Sequence, residues 1–470
     1  MSILSSSRSL LFVLCSVVLL SLYTFAVRTP DPHPAAHEER QPLAQTVPQS
    51  LQRPSAPVSD TLAARDKALA APSTVRALQA ESTLSNYPNA IPAPIVGEPT
   101  PQPDFRLPRE AENRERYASI TANPIQRVAE QPVSTFSIDV DTGAYANVRR
   151  FLHSGTLPVR DAVRVEELIN YFSYDYPPPD TAATPFRLTS ESAPTPWNPN
   201  TVLLLLGLKG SVVPQPELPP ANLVFLVDVS GSMQSPDKLD LVKSALLLLC
   251  RQLRGSDRIS LVVYAGASGV VLEPTPGDQS GKIQAAIESL TAGGSTNGGA
   301  GIRTAYAMAE QAYIPGGINR VLLATDGDFN VGTVSLAALK DLIAEKRKHG
   351  ISLTTLGVGS GNYNDALMEQ LADVGNGTYA YLDSLQEAQK VLVNERAATL
   401  YTIAKDVKIQ LEFNPAVVAE YRLIGYENRT LKREDFSNDA VDAGEIGAGH
   451  TVTALYEIAL VGSNGLRLGL

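Results

Sequence analysis

Apolar residues recur along the chain in two rhythms. Between 221 and 400 the short β-branched or Leu-rich runs LVFLVD, RISLVVYA, VLLATD and ISLTTLGVG alternate with amphipathic stretches at 238–253, 282–290, 299–312, 336–349 and 366–372. Strands this continuously apolar are covered on both faces, and the alternation predicts a doubly wound α/β domain with a mostly parallel sheet. After Asp406 the rhythm changes: VKIQLEFNP, VAEYRLIGY and HTVTALYEIAL alternate like antiparallel strands with one exposed face, predicting a β-rich C-terminal domain over 401–470. The region 111–220 mixes both patterns. FSIDVDTGAYANVRRFLHSG predicts a strand, a turn at Gly143 and a helix through Phe151, while VRVEELINYFSYDY predicts a helix with Val165, Leu168, Ile169 and Phe172 on one face. FRLTSESA and TVLLLLGLKG predict two further strands.

Two segments follow neither rhythm. Residues 10–27 form an uncharged apolar run of 18 behind Arg8, which fits the core of an export signal or a minimal membrane anchor over 1–27. Residues 28–110 carry 15 prolines in 83 positions, with Tyr87 and Phe105 as their aromatics. Such a stretch cannot bury enough apolar surface to offset its ordering entropy, so it reads as a disordered tether. The expectation is an exported protein of the cell envelope, periplasmic or membrane-anchored, with its folded part outside the cytoplasm.

Composition narrows the picture further. A formal net charge of −10 argues against nucleic-acid binding. Two cysteines, Cys15 and Cys250, do not make a disulfide framework, and both read as apolar filler. Five scattered histidines offer no zinc spacing. Gly293 to Gly301 lacks the GK[ST] of a nucleotide loop, and a single DTG at 141–143 lacks the second copy an aspartic-protease dyad requires. Asp139 and Asp141 are expected in a solvated turn, and Trp197 as a packing anchor between domains.

The candidate chemistry lies where apolar strands stop. In DVSGS, residues two apart project the same way, so Asp228, Ser230 and Ser232 converge beyond the carboxyl end of the strand LVFLVD. Open α/β sheets bind ligands at that edge. The Gly-rich AGGSTNGG is expected there with Thr296, and LLATDGDFN ends a second buried strand in Asp326. Two carboxylates and three hydroxyls make an all-oxygen site suited to a hard cation, Mg²⁺ or Mn²⁺. Asp328 is equally readable as a group orienting metal-bound water and as an exposed loop charge.

DVSGS, Thr296 in GGSTN and TDG at 325–327 resemble the metal ion-dependent adhesion site of von Willebrand factor type A domains, with all five positions filled. That resemblance implies serine and threonine hydroxyls on or near the metal, aspartates acting partly through water, and an acidic residue of a partner protein in the sixth position. Over roughly 114–460 the chain resembles a bacterial group in which a companion region precedes the type A domain and a domain of unknown function follows it. The tail stops at GSNGLRLGL, where relatives of that group continue with further strands. The flanking strands on either side of 221–400 are expected to pack into one β-sandwich around an inserted domain.

Function then reads as cation-dependent protein binding without catalysis. The alternatives are an envelope scaffold whose metal stabilises its own fold, and a metal-dependent hydrolase. No histidine beside the motif and no legible nucleophile–base pair support the last.

Overall fold

The computed structural model describes residues 23–27 as backbone and 114–470, except 182–183, 296, 328–334, 439–440 and 469–470. The remainder of the apolar run at 10–27 and the Pro-rich segment 28–110, with their expected roles, lie outside the described residues. Among the described residues, no helix is long and apolar enough to cross a membrane.

The central sheet contains six strands: β6 (Ala221–Asp228), β7 (Arg258–Tyr264), β8 (Ser268–Pro276), β9 (Ile318–Thr325), β10 (Ser352–Val358) and β11 (Tyr379–Leu382). Their order is β11-β10-β9-β6-β7-β8, parallel throughout except for β8, which pairs antiparallel with β7. β6 and β9 occupy the middle, and every residue of both is buried. Alternate side chains of β6 feed two cores. Leu223, Phe225 and Val227 join α3 (Leu241–Cys250), α4 (Ser280–Glu288) and the helical stretch 385–400. Val224 and Leu226 pack under α5 (Gly298–Gln311), α6 (Leu336–Lys348) and α7 (Asp365–Val374). The fold is therefore the doubly wound α/β arrangement that the strand pattern predicts. The same pattern passes over β8, whose Val270 and Val271 are partly exposed at the sheet edge, and the four-residue β11.

Flanking this sheet is a two-layer β structure to which both chain flanks contribute. One layer is β2 (Gln126–Arg127), β13 (Val418–Ile424), β16 (Thr451–Leu460), β5 (Asn198–Gly210) and β4 (Phe186–Thr195), in that order. The other is β1 (Tyr23–Val27), β12 (Thr402–Glu412), β3 (Val133–Ser137) and β14 (Thr430–Leu431), with β15 (Gly444–Gly447) also on β12. β5 pairs with β16 from Val202↔Ile458 to Lys209↔Thr451. The α/β domain is thus inserted into a sandwich closed by its own flanks, whose core includes Phe136, Leu206, Leu411 and Tyr456. Burial of such alternating apolar faces is what drives two sheets together.

Three expectations are corrected here. The helix expected from Val163 is short, α2 (Val165–Asn170), following α1 (Gly143–His153), and it turns its polar face inward. Glu166, Glu167 and Asn170 are buried, while Val165 and Phe172 are exposed. The reason is that α2 docks on polar backbone. Glu166 accepts a bond from the Tyr426 N–H, and Asn170 bonds both the N–H and the C=O of Thr453. Asp139 and Asp141 are buried rather than solvated, and both face the Arg429 guanidinium. Trp197 is 57% exposed and so anchors no interior packing.

Candidate metal centre

Asp228 closes β6 and is wholly buried. Its Oδ1 accepts the Ser230 N–H at 2.9 Å, and its Oδ2 accepts the hydroxyls of Thr325 at 2.9 Å and Tyr264 at 3.1 Å. Burial raises its pKa, and the nearby charge of Asp326 pushes in the same direction. The two serine hydroxyls, Ser230 Oγ and Ser232 Oγ, lie 3.0 Å apart, while Met233 is buried below and pins the turn. That turn is tied to the glycine-rich loop by Gly231 N–H to Gly294 C=O at 3.0 Å and Gly293 N–H to Val229 C=O at 2.7 Å. Thr296, the expected third hydroxyl, lies outside the described residues, as does Asp328.

Asp326 follows the last residue of β9, which is paired in parallel with β6, and it is also wholly buried. Gly327 behind it has φ +84, and a Cβ there would lie 2.2 Å from the Asn364 nitrogen, so only glycine lets the chain turn away at this point. Asp326 Oδ2 accepts Lys238 Nζ at 2.9 Å and Asn362 Nδ2 at 3.2 Å. Lys238 Nζ also donates to Asn362 Oδ1 at 3.1 Å. Asn362 sits on the loop leaving β10, and that loop is held from outside. The Arg114 N–H bonds Gly361 C=O, the Arg116 N–H bonds Tyr363 C=O, and Glu115 Oε1 accepts the Gly361 N–H. Residues 114–116 therefore brace the loop that steadies Asp326.

Lys238, Asn362, Thr325 and Tyr264 are the members of this cluster that the sequence pattern does not single out. Thr325 had a signal, since it ends a buried strand directly before Asp326; a lysine opening a helix has none. Among the described residues, no three His, Cys, Asp or Glu side chains are grouped to hold a metal. A cation at this edge would depend on hydroxyls beside the two aspartates, which is the donor chemistry of a hard divalent ion.

The sheet is doubly wound and two buried aspartates and a serine pair stand at its carboxyl edge, the edge at which open α/β sheets bind ligands. Residues 223–328 match the family described as von Willebrand factor type A domain, 111–205 match von Willebrand factor, and 398–467 match the C-terminal region of the uncharacterized protein YfbK. The chain carries a von Willebrand factor type A domain, a class that typically mediates protein–protein interaction. It is 52% identical over 353 residues to the uncharacterized protein YfbK of Escherichia coli, covering 74% of this chain and 61% of that protein's length. It is 29% identical over 169 residues to the uncharacterized protein sll0103 of Synechocystis, covering 36% of this chain and 39% of that one. Among solved structures, the von Willebrand factor type A protein from Catenulispora acidiphila aligns with a TM-score of 0.37 and 14% identity over 58% of this chain and 64% of that one.

Proposed function

We propose that this protein binds another protein through a divalent cation, Mg²⁺ or Mn²⁺, held at the carboxyl edge of β6 and β9, with an Asp or Glu of the partner completing the site. The observation that carries the reading is the placement of two fully buried carboxylates, Asp228 and Asp326, at adjacent strand ends, with two serine hydroxyls 3.0 Å apart on the turn after Asp228. Asp228, Ser230, Ser232, Thr296 and Asp326 would hold the cation. When bound, it supplies an electrophilic centre with a position open to a carboxylate. The protein's own part is orientation: Tyr264, Thr325 and the Ser230 N–H fix Asp228, and Lys238 with Asn362 fixes Asp326. The role is binding without catalysis, in the cell envelope, with the apolar run at 10–27 as export signal or anchor.

A second reading, a cation that serves the fold alone, draws support from Asp228, both of whose oxygens already have protein donors. Affinity capture from envelope extract separates the two, using the full chain in Mg²⁺, in EDTA, and as Asp228→Ala. The adhesion reading requires a protein retained by wild type in Mg²⁺ and lost in the other two arms. Identical captures in all three, with a melting temperature that falls in EDTA, would replace adhesion by the scaffold.

A further inference from the structure

Lys238 is the feature of this edge that neither the motif nor the proposed coordination uses. It lies ten positions beyond Asp228, in the turn that leads into α3, and its side chain is 9% exposed. Its stem runs over Gly359, where a Cβ would come within 2.3 Å of Lys238 Cε, and Gly359 adopts φ +72. Room has thus been made for this side chain, and its ammonium ends on one of the two buried aspartates. A buried ammonium is tolerated only where it is paired and hydrogen-bonded, and Asp326 and Asn362 supply both conditions.

Charge counting gives the lysine a role. Among the named side chains, Asp228 and Asp326 contribute two negative charges, Lys238 one positive charge, and the hydroxyls none. A divalent cation takes that sum from minus one to plus one, and a single carboxylate then brings it to zero. Without the lysine the loaded site would already be neutral, and an acidic ligand would leave it negative.

We propose that Lys238 is the resident counter-cation of the site, holding Asp326 in the metal-free protein and leaving the loaded site one charge positive, so that a carboxylate is the ligand that neutralises it. This rests on the cation-dependent reading above and adds to it the residue that sets ligand charge. Lys238 therefore weakens cation binding while strengthening capture of the acidic group. Neutralising it should tighten the metal by about tenfold, since one repulsive charge a few ångströms away is removed from a partly screened site.

The test is Mn²⁺ titration of the full chain followed by electron paramagnetic resonance, for wild type, Lys238→Met and Asp228→Ala. Lys238→Met is expected to bind Mn²⁺ about tenfold more tightly than wild type, and its Mn²⁺-loaded form to need more acetate for the same change in water-proton relaxation. Its metal-free form should melt below metal-free wild type, with saturating Mn²⁺ closing the gap. Lys238→Gln, shorter and neutral but able to hydrogen-bond, provides the same readouts should the methionine variant fail to fold. Equal or weaker Mn²⁺ binding by the neutral variants, with wild type binding and Asp228→Ala not, would overturn the role of Lys238 and leave the cation site standing. Binding in none of the variants, or equally in all including Asp228→Ala, would overturn both.

Discussion

At the carboxyl edge of the sheet one of two buried aspartates is paired with a lysine, whereas in the seam beneath α2 and α7 the buried Arg164 and the mostly buried Arg429 stand among a larger number of acids. Arg164 meets Glu167, Asp365 and Glu369, and Arg429 meets Asp139, Asp141 and Asp373. Both regions carry more acid than base, and they resolve the excess differently. In the seam, burial raises carboxyl pKa values: Glu369 is pushed up to about 8 and Glu166 to about 7, and Asp141 moves in the same direction. Burial thus favours the protonated, neutral form of these acids. The edge is framed by serine and glycine loops where a ligand can arrive, and its excess charge is the attraction proposed for a divalent cation. Similar residue types thus form a buried charge network in one place and the proposed cation site in the other.

The largest effect expected from breaking this contrast is in the seam. Arg164→Ala leaves Glu167, Asp365 and Glu369 without their shared cation, and urea unfolding should show a loss of about 3–5 kcal/mol. A loss under about 1 kcal/mol would mean the seam is not a charge lock. Next comes the pH response of Glu166. Its folded pKa is about 7, against the ordinary 4.5 of a solvated glutamate, so the unfolded chain releases this proton first as pH rises. The group's contribution is fully present below about 4.5 and is lost by about pH 7, amounting to roughly 3 kcal/mol. Glu166→Gln should gain stability relative to wild type by that order between pH 5 and 8, and a pH-independent difference would remove the protonated-seam account.

At the edge, Mg²⁺ at about one hundred times its dissociation constant should stabilise wild type by about 2.7 kcal/mol through mass action. Thermal melts of Asp228→Ala and Asp326→Ala should show no such gain, and a gain retained in both would place the cation elsewhere. The smallest effect belongs to Val165, on the outer face of α2. Val165→Thr should change unfolding free energy by no more than about 0.5 kcal/mol. A larger loss would restore the apolar face that the sequence periodicity predicts.

That periodicity was a sound guide where side chains meet a core and a poor one where they meet backbone. β6 and β9 were legible because the buried runs Leu223–Val227 and Val321–Ala324 are continuously apolar, and the acids just beyond them, Asp228 and Asp326, stood out for the same reason. α2 was misread because its buried face satisfies the N–H of Tyr426 and the polar groups of Thr453, which requires Glu166 and Asn170 inward. Asp139 and Asp141 looked like turn residues because Arg429, the cation that makes their burial tolerable, lies almost three hundred positions away from Asp139 in sequence. Lys238 carried no local mark at all.

The amino-acid sequence by itself determined the alternating α/β order, the continuous apolar strands and the placement of acids and hydroxyls at strand ends, because hydrophobic burial and backbone periodicity act over a few residues. Tertiary structure alone decided which charges meet. Lys238 reaches Asp326 across 88 positions, Arg164 reaches Asp365 across 201, and β5 finds β16 beyond the entire inserted domain. A charge is legible in sequence, but whether it is solvated, neutralised or left available depends on partners that only the folded chain brings within hydrogen-bonding distance.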